Sequence, residues 1–160
     1  ALFSSWEVIQ HMSLKVPWPF PPDGAIHWLR DIAMPKVARG EVMLWALTLR
    51  ELGDQAIGIL EWRRSDTGDS DGRGFWIAPA YQGRGLMTEA VVAFQDYVFF
   101  EEGVERLVVF HSSDNVGSRR IKEKTGGQFL DLDHQEHHSG AKQSERWEVT
   151  RESWAKLRGR

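Results

Sequence analysis

The stretch Trp76-Ile-Ala-Pro-Ala-Tyr-Gln-Gly-Arg-Gly-Leu-Met-Thr-Glu-Ala90 passes from an apolar strand through a glycine-rich turn into a helix. Glycines stand at positions 83 and 85, where that helix begins, and glycine permits open backbone angles and close approach of a ligand. The first turn of a helix also carries N–H groups without intrahelical partners and the positive end of the helix dipole. The stretch therefore predicts a cradle of main-chain amides for a phosphate or diphosphate.

The predicted cradle extends from the last residue before the glycines to the first turn of the helix. Its main-chain amides belong to Gln82, Gly83, Arg84, Gly85, Leu86, Met87 and Thr88. The Arg84 side chain adds a positive charge at the mouth. No Gly-Lys-Ser/Thr follows, so a Walker P-loop is excluded. The dinucleotide-binding motif G-x-G-x-x-G is also incomplete, because Thr88-Glu89-Ala90 stands where its third glycine would fall. The alternative interpretation is that the two glycines serve only the geometry of a tight turn.

Hydrophobic periodicity on either side of the turn predicts the fold. Helices are predicted over residues 1–11, 24–32, 83–102 and 116–125, and strands over 41–50, 55–62, 74–78, 104–110, 128–133 and 145–150. The first two strands are separated by a Gly-Asp turn, which favours an antiparallel hairpin. The order predicts an α/β (α+β) domain over residues 1–160, with a mixed, mostly antiparallel sheet covered by helices on both faces.

Composition narrows the class of protein. The 160 residues are 41% hydrophobic, which is enough for one domain with a sizeable core. A net charge of −3 gives no general affinity for nucleic acid or for an acidic membrane. The absence of cysteine excludes disulfides, thiolate metal sites and a cysteine nucleophile, and is compatible with a reducing cytoplasm. No apolar run reaches the roughly 18 residues of a membrane span.

Two segments resemble one enzyme family. Residues Gln82-Gly-Arg-Gly-Leu-Met87 resemble the acetyl-CoA signature Gln/Arg-x-x-Gly-x-Gly/Ala of the GNAT superfamily, the Gcn5-related N-acetyltransferases. Residues Asp114-Asn-Val-Gly-Ser-Arg-Arg-Ile-Lys-Glu-Lys-Thr-Gly126 resemble the N-x-x-S-x-x-x-x-E-K-x-G-F element of its RimJ/RimL-type branch. Met87 departs from the glycine or alanine of many members. Gly127-Gln128 interrupts the Gly-Phe pair, so a displaced Phe129 is expected. The family's first strand, before the first helix, is expected to be missing.

The resemblance implies an acetyl-CoA-dependent N-acetyltransferase. It implies that an acetyl group passes to a primary amine, either a protein N-terminus or a small-molecule amine, by direct attack in a ternary complex. It is also compatible with a homodimer. Two alternatives stay open: a non-catalytic acyl-CoA-binding or sensor domain with the same cradle, and a different nucleotide-phosphate binder that uses the glycine turn.

The resemblance also implies roles for particular residues. Main-chain groups of Trp76, Ile77 and Ala78 would pair with the pantetheine amides, in a gap between the strand before the turn and the next strand. Asn115 would contact the pantetheine arm, and Ser118 would act near the sulfur as a proton donor. The alternative is local: Asn115 caps its own helix and Ser118 is a first-turn serine. The basic residues Arg119, Arg120 and Lys124 would meet the 3′-phosphate, or else form a solvated helix face.

The proton acceptor is predicted less directly. His111 follows the strand 104–110 at the edge where ligands tend to bind, and histidine titrates near neutral pH. Glu61 ends a neighbouring strand and could instead accept the proton or attract a cationic amine. Each could equally be an exposed polar residue at a strand end. His134-x-x-His137 has a spacing compatible with Zn²⁺, but no third ligand stands at a recognisable distance. We therefore expect an exposed loop near the acceptor, and no metal.

Overall fold

The computed structural model describes residues 2–53, 55–64 and 72–160. Most of the acidic loop expected over residues 63–73 lies outside these ranges. The helices are α1 (Trp6–Ile9), α2 (Gly24–His27), α3 (Met34–Ala38), α4 (Leu86–Asp96), α5 (Val116–Lys124) and α6 (Arg151–Arg158). The strands are β1 (Val42–Thr48), β2 (Ala56–Arg63), β3 (Arg73–Ile77), β4 (Arg106–Ser112), β5 (Gln128–His134) and β6 (Gln143–Thr150). Segments Trp28–Ala33 and Tyr97–Glu101 are π-helical.

The strands form two antiparallel sheets of three. The first has the order β1-β2-β3 and the second the order β4-β6-β5. The predicted hairpin of the first two strands is confirmed, with Val42 opposite Arg63 and Trp45 opposite Leu60. The predicted α+β class with mostly antiparallel strands is confirmed as well. Within the described ranges β1 is the first strand of the chain, and no helix is long and apolar enough to cross a membrane.

The two sheets meet where β3 and β4 begin. The amide of Gly72 donates to the carbonyl of Val108 at 2.8 Å. Beyond this bond the two strands belong to different sheets. Helix α4 lies between them in the chain. We therefore infer a gap between the Ile77 end of β3 and the Ser112 end of β4, beyond the bond between Gly72 and Val108.

Helix α4 fills the space over the first sheet. Its buried residues Val91 and Phe94 pack in one cluster with Leu60 and Trp62 of β2. The predicted apolar face of this helix is confirmed. Phe94 and Val98 are buried in the cluster, and Leu86, Ala90 and Tyr97 pack against it.

A buried polar chain fixes α4 between the gap and α5. The Arg73 guanidinium donates to Gln95 Oε1 at 3.0 Å, and Gln95 Nε2 donates to the carbonyl of Thr125 at 2.9 Å. All three residues are buried. Buried polar groups with satisfied hydrogen bonds specify one arrangement of the elements that carry them. Strand β3, helix α4 and the end of α5 are therefore held in register.

The helices before the sheet differ from the prediction. The helix predicted over 1–11 is interrupted at Ser5, and Trp6 is 41% exposed although Ile9 is fully buried. These two residues therefore do not share one buried face. Pro35 is the second residue of α3 and does not begin a loop. Helical structure consequently continues from Gly24 to Ala38.

Candidate functional site

The glycine turn has the backbone conformation that the sequence predicts. Gly83 has a φ of 72° and Gly85 a φ of 80°, both in the left-handed region that favours glycine. A Cβ placed on either residue would meet nothing within 4 Å. The backbone angle, rather than a lack of space, requires glycine here, and the surface beside both residues is open to a ligand.

The first turn of α4 presents main-chain donors at this surface. The amide of Glu89 donates to the carbonyl of Gly85 at 3.0 Å. The amides of Leu86, Met87 and Thr88 lie ahead of that first intrahelical bond, where helices bind anions. The Met87 side chain is 5% exposed and anchors this turn in the core. Residue 87 can therefore contribute its amide to the cradle while its side chain packs inward.

The two polar side chains of the turn have different surroundings. Gln82 Nε2 donates to the carbonyl of Ile77 at 3.0 Å, so this side chain ties the turn to the end of β3. Arg84 is exposed, and its guanidinium carbon lies 5.8 Å from the centre of the Tyr81 ring. Arg84 is therefore the side chain of the turn that can move toward a bound phosphate.

Strand register corrects part of the predicted pantetheine contact. The amide of Ala78 donates to the carbonyl of Ile57 at 2.8 Å, and Trp76 stands directly opposite Ile59. Because main-chain groups alternate in direction along a strand, those of Trp76 and Ala78 point to β2. Those of Phe75 and Ile77 point to the gap. The sequence does not reveal which residues of a strand direct their main-chain groups to which side, so Phe75 was not among the predicted contacts.

Helix α5 begins at the open side of the gap. Asn115 Oδ1 accepts a hydrogen bond from the amide of Ser118 at 3.0 Å, so Asn115 caps this helix. Ser118 is 6% exposed, and its hydroxyl oxygen accepts a hydrogen bond from Lys122 Nζ at 2.9 Å. Lys122 is itself 1% exposed. The sequence pattern gave no signal for this lysine, because a helix surface is the usual place for one.

His111 is not the exposed strand-end residue that was expected. It lies within β4, is 8% exposed as a residue, and has Nε2 3.2 Å from Glu145 Oε2 without hydrogen-bond geometry. Burial and the positive charges of Lys122, Arg119 and Arg73 lower the pKa of His111 to about 3. A neutral imidazole with so low a pKa is a weak proton acceptor.

The other predicted base is also placed differently. Glu61 lies inside β2, opposite Gly74, rather than at a strand end. One carboxylate oxygen accepts a hydrogen bond from Arg63 Nη2 at 2.9 Å. The carboxylate is therefore engaged by an arginine of its own strand, and as an anionic group it can also attract a cation.

The basic residues of α5 divide into two groups. Arg119 forms an ion pair with Glu145 and donates to the carbonyl of Ser113 at 3.1 Å, so it holds α5 against β6. Its predicted role toward a phosphate is therefore not supported. Arg120 and Lys124 are exposed on the same helix and can reach a ligand.

The histidine-rich segment, residues 134–138, contacts the beginning of the chain through its histidine rings. His137 is 6% exposed, with its ring nitrogens 3.2 Å from the carbonyl of His11 and 3.1 Å from Ser144 Oγ. His138 Nε2 lies 2.7 Å from the carbonyl of Val16. The expectation of an exposed loop is therefore wrong for His137. No group of three metal-ligating side chains occurs among the residues described.

A second histidine–carboxylate pair was not predicted. His11 Nδ1 lies 3.2 Å from Asp114 Oδ1, and the same oxygen accepts a hydrogen bond from Ser112 Oγ at 2.5 Å. Burial alone would raise the pKa of Asp114, but hydrogen bonds from Ser112, Ser139 and His11 outweigh it and lower the pKa. Ser112 ends β4, so this pair lies beside the mouth of the gap.

Comparison with known proteins agrees with this geometry. The family model of the acetyltransferase (GNAT) domain matches residues 1–128. A probable N-acetyltransferase of Bacillus subtilis, YjcK, is 40% identical over 53 residues, which are 33% of this chain and 29% of that relative. That match therefore spans less than a third of the relative's own length.

Solved structures share the fold at low sequence identity. Mycobacterium smegmatis RimJ, in complex with a CoA disulfide, superposes with a TM-score of 0.75 at 15% identity, over 96% of this chain and 77% of that one. RimL, a ribosomal L7/L12 α-N-protein acetyltransferase in complex with coenzyme A, superposes with a TM-score of 0.75 at 14% identity, over 93% and 84%. With most of its length matched by the family model and its fold shared with these enzymes, this chain belongs to the GNAT family of N-acetyltransferases.

Proposed function

We propose that this protein transfers an acetyl group from acetyl-CoA to a primary amine, by direct attack in a ternary complex. The observation that carries the proposal is the pair of left-handed glycines, Gly83 and Gly85, at the start of α4 and beside the gap between β3 and β4. A helix N-terminus favours a diphosphate, and a gap between strands offers main-chain partners to an amide-bearing arm. Acetyl-CoA contains both groups.

The proposed cofactor path runs from the turn to α5. The diphosphate lies on the amides of residues 83–88, with Arg84 at the mouth, and the exposed Arg120 reaches the 3′-phosphate. The pantetheine arm follows the main chain of Phe75 and Ile77 into the gap. Its thiol end then comes near Ser118, in the first helical turn that Asn115 caps.

The proposed chemistry uses this chain's own hydroxyl as the acid. The lone pair of the amine forms a C–N bond with the thioester carbonyl carbon, and the C–S bond breaks with its electrons on sulfur. Ser118 donates the proton that makes the leaving group a thiol. A chain without cysteine has no thiol nucleophile for an acyl-enzyme, which favours the direct route.

His11 is the base in this proposal, in place of His111 and Glu61. A base must reach the substrate and be oriented by another group. His11 lies beside the end of β4, its side chain is 24% exposed, and the Asp114 carboxylate orients its Nδ1. His111 lacks access and basicity, whereas Glu61, charged beside Arg63, is left to attract the ammonium form of the acceptor.

The acceptor approaches from the side covered by the first helices. Trp76 and Ile59 face away from α4, and the Phe3 ring packs edge-on against Trp76 with centroids 5.2 Å apart. Phe3 in turn contacts Phe20 at 4.9 Å. These aromatic rings border the acceptor side of the gap, where an amine of a protein N-terminus or of a small molecule would meet the acetyl carbon.

Two measurements test the proposal. Calorimetry with acetyl-CoA should show saturable uptake, and free thiol should appear only when an amine is present, across a panel of N-terminal peptides, polyamines and amino sugars. Uptake without turnover on the whole panel would identify an acyl-CoA-binding or sensor domain instead. Preference for ATP or NAD over coenzyme A would contradict the cradle assignment itself.

A further inference from the structure

Lys122 carries a charge inside the protein beside the proposed leaving group. The residue is 1% exposed, and lysine is among the side chains least often fully buried. A buried ammonium is costly in free energy unless polar partners surround it. Buried ionisable side chains of this kind are frequent at functional sites.

The Lys122 ammonium lies between the two strands that border the gap. Its Nζ is 6.0 Å from the centre of the Phe75 ring on β3. Its charge also acts on the His111 ring of β4. The Lys122 side chain, which α5 carries, therefore lies near residues of both strands that border the gap.

The hydrogen bond of Lys122 has a defined direction. Lys122 and Ser118 are four residues apart on α5, and Nζ donates to the Ser118 hydroxyl oxygen at 2.9 Å. Lysine has donors but no acceptor, so the hydroxyl hydrogen of Ser118 must point elsewhere. The Ser118 hydroxyl can therefore donate its hydrogen to a partner in the gap.

Charged groups of several elements surround this hydroxyl. Burial lowers the pKa of the neighbouring His111, and Lys122, Arg119, Arg73 and His11 add to that lowering, so His111 is neutral at neutral pH. On the facing element, the Glu145 carboxylate is held by Arg119 and by the Trp147 indole N–H at 2.9 Å. In a poorly hydrated site a fixed cation stabilises developing negative charge more strongly than in water.

We infer that Lys122 is a positioning residue for thiolate departure: it orients the Ser118 hydroxyl toward the sulfur and stabilises the negative charge that develops there. This inference rests on the proposed function. As the C–S bond breaks, Ser118 gives its proton to sulfur and recovers one from Lys122 Nζ. The amine gives its proton to His11, which releases it to solvent, and Lys122 regains a proton from solvent. The overall reaction converts an amine and a thioester into an amide and a thiol.

The test measures the ionisation of coenzyme A bound to the protein, which needs no acceptor. The ultraviolet absorbance of the thiolate is followed against pH for free coenzyme A and for the complexes with the wild-type chain, Lys122→Met and Lys122→Arg. The wild-type and arginine chains should lower the pKa of the bound thiol by about one unit, a tenfold change in its ionisation constant. Lys122→Met should remove most of that shift while coenzyme A affinity stays within about threefold.

Controls separate this role from a structural one. Methionine fills the lysine's volume without a charge, so thermal unfolding of Lys122→Met should match or exceed that of the wild-type chain. Lys156→Met, an exposed lysine of α6, should leave the bound thiol unchanged. Should the methionine variant fail to fold, Lys122→Gln, which keeps a donor without the charge, gives the same comparison.

The two failures are distinguishable. A bound thiol with the same pKa in the wild-type and Lys122→Met complexes overturns the role of Lys122 and leaves the cradle intact. Absence of coenzyme A binding by the wild-type chain overturns the proposed function, and the inference with it.

Discussion

The side-chain amide of Gln82 donates to the main-chain carbonyl of Ile77 at 3.0 Å, which joins the glycine turn to the last residue of β3. Ile77 stands opposite Gly58 in the sheet, and a Cβ on Gly58 would lie only 2.5 Å from the Trp76 carbonyl oxygen. The turn is thus attached to a part of the strand that cannot shift. This attachment fixes the direction in which the first amides of α4 point.

Replacement of Gln82 by alanine should loosen the cradle without unfolding the protein. A hydrogen bond of this kind contributes about 0.5–1.5 kcal/mol, so the affinity for coenzyme A should fall by about three- to tenfold. Calorimetry measures the change. Gln128→Ala, at an exposed position of β5, is the matched control and should bind as tightly as the wild-type chain. Equal affinities of both variants would contradict a role for Gln82.

A carboxylate at position 85 should abolish coenzyme A binding. The φ of 80° strains most side chains, but Asn and Asp both tolerate the left-handed region. They have nearly the same shape, so Gly85→Asn controls for the backbone and Gly85→Asp adds the negative charge. We expect the aspartate variant to bind at least about a hundredfold more weakly than the asparagine variant, or about 2.7 kcal/mol. Similar affinities would remove the diphosphate from this turn.

Ser118→Ala should lower turnover more than coenzyme A affinity. The hydroxyl donates a proton in the proposed step, and general acid catalysis contributes about 10²- to 10⁴-fold. Asn115→Ala is the informative partner, because it removes the cap that bonds to the amide of Ser118 and should cost about 1 kcal/mol of stability. Steady-state kinetics and thermal unfolding separate the two effects. Wild-type turnover by Ser118→Ala would leave the serine a structural residue.

His11→Asn should lower turnover by about 10²- to 10⁴-fold, as expected for loss of a general base. The amide keeps a polar group for Asp114 but cannot accept a proton. Glu61→Gln should instead raise KM for a cationic acceptor. Steady-state kinetics measures both changes, and wild-type turnover by His11→Asn would return the base to another residue.

Stability should fall as the pH is lowered from about 6.5. Burial first, and then nearby positive charges, lowers the pKa of His111 to about 3 in the folded protein, below the value of about 6.5 in an unfolded chain. The unfolded state therefore binds more protons between these values, and the contribution of the neutral ring is fully present only above about pH 6.5. Burial lowers the pKa of His137 as well, in the same direction.

Denaturant unfolding between pH 7 and pH 5 measures this linkage. The wild-type chain should lose about 1–2 kcal/mol more than His111→Gln, which does not titrate. His134→Gln, on the exposed face of β5, serves as the control and should behave like the wild-type chain. A parallel pH dependence for wild type and His111→Gln would show that the buried ring is not responsible.

Sequence patterns predicted the parts of the fold that local chemistry decides. Gly83 and Gly85 predicted the turn because positive φ is a property of single residues, and the period of α4 predicted its buried face because Phe94 and Val98 recur at helical spacing. The strand hairpin followed from two apolar segments separated by a Gly-Asp turn.

The residues that were misjudged depend on tertiary packing. The direction of the Trp76 carbonyl requires the register with β2, and the burial of His111 and Lys122 requires knowledge of how α5 lies on β4. The pairing of His11 with Asp114 joins positions 103 residues apart, which no local pattern reveals. Phe129, for which a displacement was predicted, lies beside an irregularity in β5 and is 51% exposed.

The most direct test of the account is a crystal structure of this chain with acetyl-CoA. We expect the two linked phosphates within hydrogen-bond distance of the amides of residues 83–88, and the thioester sulfur beside the Ser118 hydroxyl. Phosphates lodged away from the start of α4 would contradict it, and every side-chain role assigned here would then have to be withdrawn.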